Sequence, residues 1–568
     1  LGRNSFSLQP AKAPEELVVG CLNAECAFNA RSEPAGIPVV YVDEQVYREL
    51  PCFLIATVDK FAMLPWRGET GMLFGRATAR EGRRFFGPLD GKAAKASTPL
   101  PQGLLPPELI VQDELHLISG PLGTMVGLYE TAIEHLSVRA IDGKSVGPKI
   151  ISSTATVRRA QEQIRALFGR PNVALFPPRG VDDGDTFFAA VKNDESGRLY
   201  VGVAAPGRSL KAILLRSYVD LLAGGQKQFD PKAGADAAAD PYMTLVGYFN
   251  SLRELGGMRR LVEDDVRTRC RGIDERAPLD RGTPSPWFAK REVQGIPDEL
   301  TSRERTSAIA ASKARLAKPH VDADHVDVLL ASNMISVGVD IDRLGLMVVA
   351  GQPKTTSEYI QATSRVGRKH PGLVVTCFNV RKPRDRSHFE RFAAYHASFY
   401  RFVEAQSLTP FSGPALDRGL AGTLIAMTRL ADPRATPPAA AEQLAITKPI
   451  GDAAAEALAA RSKRQPSVKQ TKRYEALAQD VRARAKNILD AWDTIVREVK
   501  SEAGGKIDYS PYDRERYASV HMLHTVLDDP SLRLGPKYEK FRAPTSMRDV
   551  EASVHLWIAP GRSLGSKG

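Results

Sequence analysis

Short apolar runs that end in a polar residue recur along this chain, and they restrict its fold more than any other feature. They are "CFLIAT" before Val58-Asp59-Lys60, "LIVQ" before Asp113, "KIISS" before Thr154, "TLVGYF" before Asn250, "VDVLLAS" before Asn333 and "GLMVVAG" before Gln352. Helical patterns lie between several of them, including 121–138 and 157–168, the second closed by Gly169 as a C-cap. That alternation specifies an open parallel α/β sheet. In such sheets ligands sit beyond the carboxyl ends of the strands, which is where these polar residues fall.

At 568 residues the chain is too long for one core, so several domains are expected. Proline, glycine and acid in "VALFPPRGVDDGD" (173–185) mark a linker between a first unit, 1–190, and a second, 196–385. Insertions interrupt both, at 76–104, 230–240 and 265–305. From 386 to 568 the pattern turns helical, with an Ala/Pro-rich and basic linker at 432–473 and a helix around 475–500. Lys and Arg exceed Asp and Glu to give a net charge of +12, which favours a polyanionic partner. The five cysteines form no disulfide framework and fit a reducing compartment. No secretory h-region opens the chain, and its apolar runs fall far short of the ~20 residues that span a bilayer. These features point to the cytoplasm and away from the membrane.

Two adjacent carboxylates at the end of an apolar strand cost several kcal/mol unless a cation or a set of donors compensates them. Asp113-Glu114 therefore reads as a Walker B pair. In it Asp113 holds Mg²⁺, and Glu114 orients and helps deprotonate the water that attacks a γ-phosphate. A surface turn with two solvated acids is the bland alternative. Context decides between them, because His116 completes "DELH" and "STAT" (153–156) follows about forty residues later. By itself Thr154-Ala155-Thr156 is an ordinary helix cap.

The order of the later blocks carries the resemblance. "YFNSL" (248–252), "VLLASNMISVGVDI" (328–341) and "QATSRVGR" (361–368) follow in the sequence order of superfamily 2 helicases, and the likeness covers roughly 52–385. Arg365 and Arg368 lie three apart, on one face if the segment is helical, and forked guanidinium groups suit a transferring phosphoryl group. A basic helix face binding solvent is the alternative. The resemblance implies two RecA-like domains, the first incomplete, that use ATP and Mg²⁺. It assigns His116, Gly338, Asp340 and Gln361 to the nucleotide, and Thr154, Ala155 and Thr156 to coupling nucleotide state to lobe movement. Three positions depart from the family pattern: Asn333 stands where Asp is common, Val337 where Arg is common, and Ser364 where Gly is common.

The nucleic-acid side rests on Thr57 and Lys60 in "ATVDKFAML", on Phe249-Asn250-Ser251, and on Ser332, which resemble blocks touching the phosphate backbone. Hydroxyl, amide and ammonium donors bind phosphate without reading bases. A capped helix start is the bland alternative for the first two segments. Cys21 and Cys26 in "GCLNAECAFN" raise Zn²⁺, but a structural site needs four ligands, and Cys52 is expected to be buried in its strand.

A motor of this class needs a phosphate loop, G-x-x-x-x-G-K-[ST], before Asp113. None occurs here: "GPLDGK" (87–92) has the wrong spacing, and "GKS" (143–145) has Val138 where the first glycine belongs. Either the loop lies upstream of Leu1, leaving this chain inactive alone, or the chain is a helicase-like scaffold that binds DNA without hydrolysing ATP.

Four further stretches are more specific: "VVYVDEQVYRELPCFLIATVDKFAMLPW", "QDELHLISGPLGTMVGLYE", "RDRSHFERFAAYHASFYRFVEAQSLTPFSGPALDRGL" and "APTSMRDVE". Over about 20–555 the chain resembles the DrmA family, the helicase subunits of bacterial DISARM anti-phage systems. The resemblance implies an ATP-powered DNA helicase or translocase acting on phage DNA with a DrmB-like partner subunit, alongside a DNA methyltransferase.

Overall fold

The structure, a computed structural model, describes all residues except 1, 11, 13–15, 30, 155–159, 179–186, 189, 191, 193, 274–285, 302, 337–339, 406, 466–470, 514–516, 526–527, 529–534 and 550–568. The chain forms two compact units. One is discontinuous, built from Leu1–Thr154, Arg159–Leu175 and Gln406–Gly568; the other is inserted into it and comprises Ala155–Arg158 and Phe176–Ala405.

The inserted unit holds a six-stranded sheet in which every pairing is parallel. Its spatial order is Arg198–Ala204, Gly372–Phe378, Leu346–Ala350, Leu245–Phe249, Val328–Ala331, Asp298–Leu300. Every residue of Leu245–Phe249, Val328–Ala331 and Leu346–Ala350 is buried, so these strands read as unbroken apolar runs. One apolar cluster packs Leu210–Gln228 and Leu252–Leu261 on one face; another packs Tyr359 and Ala362 of Thr356–Thr363 and Leu316 of Thr306–Leu316 on the other. The polar residues Asn250, Ser332, Gly351-Gln352 and Asn379 follow directly at the carboxyl ends.

The discontinuous unit is mostly helical. Its core joins Gly120–Leu136 and Ala160–Phe168 to Gly413–Ala431, Leu444–Ser462 and Thr471–Ser501. Glycines let the first and third of these helices touch: a Cβ at Gly422 would lie 2.4 Å from the Tyr129 hydroxyl, and one at Gly419 would lie 2.6 Å from Met125. Two strands, Leu109–Gln112 and Lys149–Ser152, form a parallel pair here.

Several expectations are corrected. The expected extension at 386–568 is not separate: its described residues from Leu408 to Met547 contribute to the core of the unit that carries Asp113, while 386–405 belong to the inserted unit. Nearly half of the expected linker at 432–473 is the helix Leu444–Ser462, whose Ala454, Ala455 and Ala459 are buried at helix contacts. Small residues serve a tight seam as well as they serve a linker. "CFLIAT" forms no strand; Phe53 and Ile55 are 74% and 85% exposed, and Cys52 is exposed rather than buried. No helix among the described residues is long and apolar enough to cross a membrane.

Candidate nucleotide and nucleic-acid site

In the discontinuous unit the two parallel strands bring Asp113 beside Ser153. The register pairs Gln112 with Ser152, and the ladder continues as Ser153 donates its amide to Gln112 at 3.0 Å and Leu115 donates to the Ser153 carbonyl at 3.0 Å. Asp113 Oδ1 accepts the Ser153 hydroxyl and, at 2.9 Å, the Glu114 amide. Those two hydrogen bonds, Ser153 first, hold the Asp113 carboxyl below its ordinary range, so it is ionised at neutral pH. Glu114 takes a left-handed backbone, φ 50°, uncommon for a residue with a side chain, and its carboxylate lies 3.2 Å from His116 Nδ1. Gln163 secures the turn from below, donating to the carbonyls of Leu115 and Ile118 at 3.3 and 3.0 Å.

Thr154 follows Ser153 and is half-buried. Ala155 and Thr156 lie outside the described residues, as does Gly338. Ser153 and Gln163 were missed as positioning residues. For Ser153 the signal was available: it sits one place before Thr154, and aligning the two strand ends puts it opposite Asp113.

In the inserted unit the helix Thr356–Thr363 ends before the arginines, so Arg365 and Arg368 sit on a turn rather than on a helix face. Gly367 turns the chain at φ 71° and donates to the Leu344 carbonyl at 2.8 Å. Arg368 donates to Asp340, so two residues assigned to the nucleotide pair with each other. Gln361 is buried in the helix just before them.

Asn250 donates its amide toward the carbonyls of Ala350, Gly351 and Gln352, with the Ala350 contact at 3.1 Å. Ser251 caps the next helix by accepting from the Glu254 amide at 3.3 Å, Phe249 is in the core, and Ser332 is buried. Asp385, also buried, gathers the same strand ends by accepting from the amides of Gln352 and Asn379 at 3.2 and 2.8 Å.

In the other unit, Thr57 precedes a 3₁₀ turn and accepts the Lys60 amide at 3.0 Å, while Lys60 pairs with Asp43 at 2.7 Å. Asp59 between them faces inward and accepts from Ser546, Met547 and Arg548. The segment read as a phosphate contact is therefore also a structural anchor.

Cys21 and Cys26 interact through their thiols, which lowers the Cys21 pKa after the larger effect of a hydrogen bond from the Asn23 backbone. They join no group of three or more candidate ligands among the described residues. Such a group does occur at His320, His325 and Asp327. There the buried Arg291 guanidinium already donates to Asp327 at 2.7 Å, which makes the cluster an ion-pair network rather than a cation site.

Residues 289–370 match the helicase conserved C-terminal domain family, placing that domain on the six-stranded sheet and including both arginines. Over 421 residues the chain is 45% identical to the DISARM protein DrmA of Bacillus paralicheniformis, spanning 73% of this chain and 36% of that protein. The chain resembles DISARM DrmA. It therefore spans about a third of the length of this curated DrmA relative. Among solved structures, the DUF1998 helicase MrfA bound to DNA aligns at 18% identity and a TM-score of 0.37, over 56% of this chain and 35% of MrfA. The Mycobacterium smegmatis helicase Lhr bound to ssDNA and AMP-PNP aligns at 17% identity and a TM-score of 0.40, over 74% of this chain and 40% of Lhr.

Proposed function

We propose that this chain is part of an ATP-dependent DNA helicase or translocase of an anti-phage defence system, working with a DrmB-like partner. The observation that carries the reading is the helicase conserved C-terminal domain ending on Arg365 and Arg368, in a chain similar to DrmA. Glu114 orients and deprotonates the attacking water, with its carboxylate 3.2 Å from His116. Arg365 and Arg368 stabilise charge on the transferring phosphoryl group, for which Arg368 must exchange Asp340 for phosphate oxygens. Asp113 fits a Mg²⁺ ligand: it is an ionised, exposed hard-oxygen donor held by Ser153. Bound there, Mg²⁺ would offset the charge of the ATP phosphates. Thr57, Lys60, Asn250, Ser251 and Ser332 contact the DNA backbone, and Thr154, Ala155 and Thr156 couple nucleotide state to movement.

One observation favours a second reading, a DNA-binding scaffold without hydrolysis: no G-x-x-x-x-G-K-[ST] occurs in these residues. The same absence implies that this chain alone does not turn over ATP. Glu114→Gln, made in the protein as the cell produces it, separates the two readings. The motor reading expects DNA binding to persist and DNA-stimulated ATP hydrolysis to vanish. Hydrolysis unchanged in the variant refutes the role of Glu114. A parent protein that hydrolyses no ATP and binds DNA regardless of nucleotide establishes the scaffold.

A further inference from the structure

Beyond the matched helicase domain, the inserted unit ends in a ridge of aromatic and basic residues. Residues 381–402 carry six Arg or Lys against two acids. Of the acids, Asp385 is buried beneath the strand ends, and Glu390 pairs with Arg386 at 2.8 Å. Arg381, Arg391 and Arg401 are exposed.

The aromatics form a graded stack. Tyr359 is fully buried against the sheet, Tyr395 is 5% exposed, and at the outer end Tyr400 and Phe402 are 62% and 50% exposed. Tyr400 lies 4.8 Å from the Phe399 ring and Phe402 lies 5.4 Å from the Tyr395 ring, both at moderate tilt. Phe399 in turn lies 5.6 Å from Tyr200, and Tyr395 lies 6.2 Å from Tyr359. The two outer rings are thus exposed yet rigidly backed. Exposed aromatics alone need no explanation. Two on one short turn, within a basic segment, have the chemistry of a base-stacking platform: rings for the base faces and cations for the phosphates.

The ridge is tied to the strand ends described above. Tyr395 receives a hydrogen bond from Gln352 at 3.3 Å and donates to Thr356 at 3.3 Å. Gln352 ends the loop whose carbonyls Asn250 holds.

We propose that Tyr400 and Phe402 stack bases of single-stranded DNA, with the flanking arginines neutralising its phosphates. The proposal rests on the DNA-binding reading above and adds a site that the helicase domain does not include.

The test uses the full 568-residue chain and fluorescein-labelled dT20 in anisotropy titrations across salt concentrations, with an abasic 20-mer of the same charge as control. Tyr400→Ala/Phe402→Ala should weaken dT20 binding at least about fivefold for each ring removed. It should also erase the preference for dT20 over the abasic strand, while Tyr400→Phe/Phe402→Tyr keeps both. Arg391→Ala/Arg401→Ala should weaken both strands and flatten the salt dependence. Unchanged dT20 affinity in the double alanine variant overturns the stacking site and leaves the DNA reading standing, and it does so even if that variant loses a protein partner. No dT20 binding by the parent chain overturns both.

Discussion

Arg429 and Asp513, 84 residues apart in sequence and each essentially without solvent exposure, face one another with Nη2 at 2.7 Å from both carboxylate oxygens. The guanidinium also donates to the carbonyls of Pro65, Trp66 and Thr436 and lies 4.6 Å from the Tyr509 ring centre, while Asp513 accepts the Gly68 amide. One ion pair thereby fastens the 65–68 segment to two parts of the C-terminal region. Removing one partner strands a buried charge, so Asp513→Ala is expected to destabilise the discontinuous unit by about 3–5 kcal/mol. Urea melts that show no shift in the corresponding transition would contradict this.

His524 supplies a pH dependence to the same unit. Burial, and secondarily the charge of Arg542, push its pKa down to about 4. The unfolded chain, at about 6.5, binds more protons than the native state in between, so stability is complete above about pH 6.5 and is lost as pH falls through about 4. His524→Phe should flatten the change in urea midpoint over that window relative to the parent, by about 1–3 kcal/mol. Parallel pH profiles for the two proteins would rule out this assignment.

Close helix approach gives a third expectation. A methyl group at Gly422 would meet the Tyr129 hydroxyl at 2.4 Å and Ala543 at 3.1 Å. Gly422→Ala is expected to cost about 1–3 kcal/mol through overpacking, against the usual preference for alanine in helices. The paired change Gly422→Ala/Tyr129→Phe should recover part of that loss; a melt as stable as the parent for the single variant would count against the close contact.

Arg368 and Asp340 frame the fourth. In the protein as the cell produces it, Arg368→Ala should lower DNA-stimulated ATP hydrolysis by about 10³-fold or more, with nucleotide affinity little changed. Asp340→Asn releases the guanidinium and should change turnover by far less than Arg368→Ala. A turnover loss in Asp340→Asn equal to that of Arg368→Ala would mean that the pair itself, and not the free arginine, is what matters.

The inserted sheet was legible because its central strands are buried on both faces and appear as unbroken apolar runs such as Leu245–Phe249 and Leu346–Ala350. "CFLIAT" has the same composition but pairs with no strand among the described residues. An apolar run reports what could be buried, and only its partners decide whether it is. Ala454 and Ala459 misled for a related reason, since alanine composition is common to loose linkers and to the tightest helix contacts. Within the candidate site, Asp113, Glu114 and the arginines announce themselves by charge and spacing. Ser153 and Gln163 act through strand register and through carbonyls from another element, neither of which is written in a local motif.

The interruption of one unit by the other has a consequence for synthesis. The core around Gly120–Leu136 needs Gly413–Ala431 and the helices after it, which leave the ribosome only after the whole inserted unit has emerged. The inserted unit has its own sheet and two apolar clusters and can fold first. The part of that core that precedes the inserted unit thus waits for its partners, with the apolar face of Gly120–Leu136 uncovered for a period set by translation speed. Ribosome-bound chains arrested near residue 445, with the inserted unit outside the exit tunnel and Gly413–Ala431 still within it, should accordingly protect the inserted unit from protease while the preceding part of the discontinuous unit is cut, and in vivo this stretch is where a holding chaperone has the most to cover.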